Sequence, residues 1–322
     1  MVSDDPPGRH RRAFTLMALL RAPLARQARR FLYADGLPHM DFVAPEGEPA
    51  LVPSDSISWR VFKNPVTLFI GGIAAVVLEL AEPRVRSGVW NHTTFRTDPV
   101  RRLRRTALAA MMTVYGARSR AEAMIAGVRR MHERVSGVTP EGAPYRATDP
   151  ELLDWVHATA SFGFLEAYRA YARPLEDGAA ARYYAEGRAA AELYGATGAP
   201  ASETELEALF ARMAPTLETS PIIFEFLRIM RRAAVLPTGA RPAQGMLIRA
   251  GIETLPAWVR ECLGLEAGWR LAVWERKLVT AAARLADRMP LEGTPPLDAC
   301  RRLGLAEDYL FADRNHGAYR HG

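Results

Sequence analysis

Asp149-Pro150-Glu151-Leu152-Leu153-Asp154-Trp155-Val156-His157-Ala158-Thr159-Ala160-Ser161-Phe162-Gly163-Phe164 decides the fold class. An Asp-Pro pair opens a helix for two reasons: the Asp carboxylate accepts from an orphan backbone N–H, and Pro sits where its missing N–H costs nothing. Behind it Leu153, His157, Ala160 and Phe164 recur every three or four residues, an apolar helical stripe. The spacing predicts a helix to about Ala172, just short of Pro174.

The same grammar extends in both directions. Asp98-Pro99 starts a helix from about Val100 that Gly116 ends, and Ser119 starts another that spacing carries to about Ser136-Gly137. A turn-rich connector, Pro140 to Thr148, leads back to Asp149. Upstream, Ser54-Asp55-Ser56 caps a helix from Ile57 to Phe62, and Asn64-Pro65 starts an apolar one to Leu80. Downstream, helices are expected over about 177–193, 202–214, 219–234, 240–250, 255–263 and 265–287. Alternating β patterns and Asn-Gly hairpin signals are nearly absent. The expectation is an all-α fold, a single large helical domain over 54–290. Before it come a disordered lead-in, a basic helix from about Phe14 to Phe31 interrupted by Pro23, and a loop rich in Pro and Gly to Pro53. A C-terminal extension, 291–322, follows.

With 322 residues, 49% of them hydrophobic, the chain can bury a sizeable core. Its 42 Lys+Arg against 36 Asp+Glu give a mild +6, scattered among acids, which reads as a solvated helical surface and not as a nucleic-acid stripe. Two cysteines, Cys262 and Cys300, exclude a disulfide scaffold or an Fe–S cluster and suit reduced thiols in a cytoplasmic protein. Val66 to Leu80 is too short to span a bilayer of ~30 Å and is interrupted by Glu79. Arg11-Arg12 faintly resembles a twin-arginine export signal, but the apolar stretch behind it stops at Arg21. No Walker loop, Gly-x-Ser-x-Gly or Gly-x-Gly-x-x-Gly is present, and Gly71-Gly72 reads as close helix packing.

Of the seven histidines, His10, His316 and His321 lie in polar ends, His39 in the early loop, and His92 in a polar connector. His132 continues the apolar stripe Ala121, Ile125, Val128, and His157 continues that of its own helix. Two inward histidines on adjacent helices suit an axial haem ligand and a pocket residue, since iron needs a neutral imidazole beside an apolar slot. A hydrogen-bonded core histidine is the competing reading for each. No His-x3-His or Glu-x-x-His pair points to zinc or di-iron. In Arg101-Arg102-Leu103-Arg104-Arg105-Thr106, helical spacing puts Arg102 and Thr106 on one face with Arg105 beside them. That face suits a buried carboxylate or phosphate. An exposed basic helix end is the alternative, and it fits Arg101 and Arg104 in either case.

Several segments together resemble one family. They are Asp55 to Val61, Glu82-Pro83-Arg84-Val85-Arg86-Ser87-Gly88-Val89, the Asp98-Pro99 start with Arg102 to Thr106, Met131-His132-Glu133-Arg134-Val135-Ser136-Gly137, and Asp149-Pro150 leading to Trp155-Val156-His157-Ala158-Thr159. In this order they resemble the MpaB-type oxygenases and latex-clearing protein, the rubber oxygenase, over about residues 54 to 290. The resemblance implies an all-α fold with a globin-like central arrangement around haem b. It implies a single axial histidine at His132, with His157 lining or bracing the pocket. The family's Arg-x-x-Lys-Thr element, which holds the haem, lands on Arg102, Arg105 and Thr106. Arg105 stands where the family has Lys, and a guanidinium cannot lose its proton and ligate iron. That side of the iron should therefore carry no protein nitrogen. Glu82, where many members have His, is a candidate distal acid or base. The implied activity is oxidation or oxygenation of a small hydrophobic organic substrate by dioxygen, with a redox partner. The alternative is a non-catalytic haem sensor or carrier, or a helical partner-binding protein without the cofactor.

Overall fold

The computed structural model describes residues 21–30, 32–33, 40–236 and 241–312. The expectations for the lead-in, for residues 14–20, and for His10, His39, His316 and His321 fall outside them. Within the described residues the chain is all-α apart from one small hairpin. Its helices are α1 (21–30), α2 (Ile57–Phe62), α3 (Pro65–Ala81), α4 (Pro83–His92), α5 (Pro99–Tyr115), α6 (Arg118–His132) and α7 (Pro150–Tyr171). They continue as α8 (Ala179–Tyr194), α9 (Glu203–Met213), α10 (Pro221–Arg232), α11 (Arg241–Thr254), α12 (Ala257–Leu263), α13 (Val273–Asp287) and α14 (Pro295–Arg302).

The cap residues do what their chemistry allows. Asn64 Oδ1 accepts from the backbone N–H of Val66 and Thr67 at 3.1 and 3.2 Å, Asp98 from Arg101 at 3.2 Å, and Asp149 from Glu151 at 3.0 Å. Each is followed by Pro at the first helical position.

The organising contact is between α3 and α7. A Cβ on Gly71 would lie 2.6 Å from the carbonyl oxygen of Gly163, and one on Gly163 would collide with that of Gly71. The two helices thus touch backbone to backbone, a crossing that only glycine permits. On another side of α3, a Cβ on Gly251 of α11 would lie 2.7 Å from the Ile70 carbonyl oxygen. Gly71 is therefore a packing glycine, as its setting in an apolar helix implies. Gly72 differs, since a Cβ there would meet nothing within 4 Å.

Several departures from the expected elements are seen, the first three with local causes. The chain after Leu80 is not an unstructured connector: Glu82 Oε2 accepts from Val85 N at 2.7 Å and Pro83 opens α4, which bends 110° from α3. His92 ends that helix, and its Nε2 lies 3.1 Å from the Tyr145 hydroxyl. α6 stops at His132, four residues early, because Arg134 and Val135 turn to three-residue hydrogen bonds with Met131 and His132. β1 (Ser136–Val138) then pairs antiparallel with β2 (Pro144–Arg146), turning through Gly142 at φ +91°. Gly137 lets the Tyr145 ring lie on the strand, since a Cβ there would sit 2.5 Å from its hydroxyl. The helix expected from about 265 begins only at Val273, and α14 in the expected extension is a real helix.

Residues beyond 54–290 join the same core. Arg302 on α14 is 1% exposed. Its guanidinium donates to the carbonyls of Phe42 at 2.8 Å, Glu48 at 2.9 Å and Tyr115 at 2.8 Å. Lys63 at the end of α2 donates to the Leu310 carbonyl at 2.7 Å and faces Asp287, which also meets Arg173 at 2.7 Å. Cys262 and Cys300 are both free thiols. No single described helix is long and apolar enough to cross a membrane.

Candidate functional site

α3 is buried where it meets α7 and α11, yet Leu68, Phe69, Gly72, Val76 and Glu79 remain partly uncovered. Their spacing of one, three and four puts them on one face. That face is apolar until its last turn, where Glu79 ends it. Burial pushes the Glu79 carboxyl up to about 7, against the pull of Arg102.

Arg102 enters from α5 and couples three elements. Its guanidinium favours ionised Glu79 on α3 and disfavours a second charge on His132 at the end of α6. Burial, and then Arg102, hold the His132 imidazole below its ordinary pKa, so the ring is neutral at physiological pH. Its Nδ1 is buried with no hydrogen-bond partner, and so is Arg102 Nε. Buried polar atoms are normally satisfied, so two orphans in one cluster call for a missing partner.

The expected α5 face is present. Arg102 donates to the Thr106 hydroxyl, which in turn donates to the Arg102 carbonyl at 3.0 Å. Arg105 lies close enough to Arg102 for their charges to repel. Arg105 and Thr106 are exposed, whereas Arg102 and His132 are half-buried.

Two other expected residues have contacts of their own. Glu82 is 1% exposed and fully engaged in capping α4 and in an ion pair with Arg84 at 2.8 Å. That structural duty leaves Glu79, one turn earlier on α3, as the carboxylate of the cluster. His157 Nε2 lies 3.4 Å from Ser161 Oγ and 3.7 Å from where a Cβ on Gly187 of α8 would sit. In the sequence Glu79 stands only as a break in an apolar run, and that is its signal: a lone carboxylate on a buried helix needs a partner.

His157 has a measurable consequence of its own. Burial pushes its pKa down to about 4, from 6.5. Between those values the unfolded chain takes up a proton that the native protein refuses. The stability present above pH 6.5 is thus lost as pH falls through about 4, by up to about 3 kcal/mol. Urea midpoints should therefore drop less steeply over this range in His157→Gln than in the unsubstituted protein. Parallel acid limbs would contradict the buried, neutral ring.

The residues present fit a haem. Among the described residues no three His, Cys, Asp or Glu side chains stand together as a metal site. A group that brings its own equatorial ligands, needs one neutral imidazole, carries carboxylates for a guanidinium and lies on apolar surface matches the cluster. Together, fold and site define an all-helical protein whose central helix leaves an apolar face uncovered beside a neutral, unpartnered histidine. The chain belongs to the family described as ER-bound oxygenase mpaB/B'/rubber oxygenase, catalytic domain, whose model matches residues 59–287. Comparison with curated proteins and with solved structures returned no match.

Proposed function

We propose that the protein is a haem-b-dependent oxygenase or oxidase acting with dioxygen on a small hydrophobic organic substrate, with His132 as the one protein ligand to iron. The observation that carries this is the buried, unpartnered Nδ1 of a neutral His132 beside the orphaned Arg102 Nε. Bound haem would supply dioxygen binding and the redox chemistry. Arg102 and Thr106 would hold a propionate. Arg105, always charged, would offer only donors to a substrate or dioxygen oxygen. Leu68, Phe69 and Val76 would keep water from an apolar substrate, and Glu79, titrating at about 7, would hold or release a proton at its carboxyl near neutral pH.

Haem titrated into the purified protein should give a saturable Soret band, and a reductant should then drive dioxygen uptake. No Soret band would reject the proposal. A band without any uptake over a panel of hydrophobic substrates would make the protein a haem carrier or sensor.

The propionate contacts give a graded expectation. Losing one charge-assisted hydrogen bond at a buried carboxylate costs about 1.5–3 kcal/mol, or one to two decades in haem retention. Arg102→Ala and Thr106→Ala should each show this in haem transfer to apomyoglobin. Arg101→Ala and Arg104→Ala should not. Equal loss from all four would mean that the cluster acts through general charge.

A further inference from the structure

A second surface, away from this cluster, is built in a way the haem reading does not use. Val273, Trp274 and Leu278 at the start of α13 are 74%, 61% and 52% exposed. On the other side of the helix Val279, Ala283 and Asp287 are buried against the core. Helical spacing continues the outer row from Trp274 and Leu278 through the exposed Ala281 to the half-buried Leu285. Lys277, Arg284 and Arg288, all exposed, run along one edge of that row. Both carboxylates of α13 are turned away: Glu275 pairs with Arg249 and caps Ala272 N at 2.9 Å, and Asp287 is buried with Lys63 and Arg173. The outer face therefore holds apolar side chains and cations, with no acid.

We propose that the outer face of α13, with Trp274 and Leu278 at its centre and Lys277, Arg284 and Arg288 along its edge, seats the protein in plane on an anionic lipid bilayer. An apolar row with a basic edge is the arrangement that lies in the headgroup boundary. Tryptophan rests at that depth with its ring in the apolar layer and its N–H in the wet one. Each cation near an anionic leaflet adds attraction that salt screens. A second copy of the chain is a poor occupant, because it would set one row of cations against another with no carboxylate on either face to separate them. The inference is independent of the haem proposal.

Flotation of the full chain with vesicles tests it, using phosphatidylcholine alone and phosphatidylcholine with one-third phosphatidylglycerol. The protein should bind the anionic vesicles and leave the neutral ones largely free, and added salt should weaken binding. Trp274→Ser with Leu278→Ser should lower the partition coefficient at least tenfold. Lys277→Glu with Arg284→Glu should abolish the preference for anionic lipid. These positions are exposed, so the melting temperatures should stay near that of the parent, which verifies that the variants fold. No binding of the parent, equal binding to both vesicle types, or unchanged binding of the Ser variant would overturn the proposal. So would a lipid-free dimer that the Ser variant converts to monomer, which would assign the face to a second copy.

Discussion

His132→Ala is expected to lower haem affinity by two decades or more, about 3 kcal/mol, and to leave far-ultraviolet circular dichroism unchanged. The two halves of that expectation have separate causes. His132 is the last residue of α6, and the helix is anchored by the buried Ala121 and Ile125 further back, so truncation removes no core packing. What goes is the single neutral imidazole with a free nitrogen in the Arg102 cluster. Free imidazole should refill the space and restore part of the Soret band, an outcome that a merely structural histidine would not give. Retention of haem in His132→Ala together with its loss in His157→Ala would move the ligand to the other histidine.

Arg302→Met should destabilise the fold by about 3–5 kcal/mol, the range for removing one partner from a buried charged network. Met keeps much of the side-chain length and apolar volume, so the loss comes chiefly from three carbonyls, those of Phe42, Glu48 and Tyr115, left without their donor. In thermal melts this corresponds to a drop of roughly 4–7 °C for a chain of this size. Arg302→Lys should recover little, because one ammonium on a flexible stem cannot serve three directions fixed by a planar fork. A change under about 1 kcal/mol in the Met variant would show that water satisfies these carbonyls.

What the sequence made legible follows the range of each interaction. Asn64, Asp98 and Asp149 start helices where capping rules place them, because a cap and its N–H partners lie within three residues. Glu82-Pro83 works in the same way but is harder to read, since Glu is not among the favoured caps and the expected role was distal chemistry. The pairing of Arg102 with Thr106 is a one-turn relation and is visible in spacing. Its coupling to Glu79 and His132 is not, because those residues come from other helices, far apart in sequence. The overrun of α6 has a similar origin: Val135 continues the apolar stripe, while the hairpin that claims the chain needs Tyr145 to lie over Gly137.

The clasp at Arg302 also has a consequence in time. Its three acceptors precede it by 260, 254 and 187 residues. At a synthesis rate of about 5–20 residues per second, those carbonyls leave the ribosome roughly ten seconds to a minute before their donor exists. The Phe42 stretch therefore lacks this clasp while α3, α5 and α7 are already able to pack, although Ala50 and Val52 can already pair with Ala117 and Trp59. Nascent chains arrested before residue 302 should present Phe42 to chaperones, and the three-carbonyl clasp closes only once Arg302 has emerged.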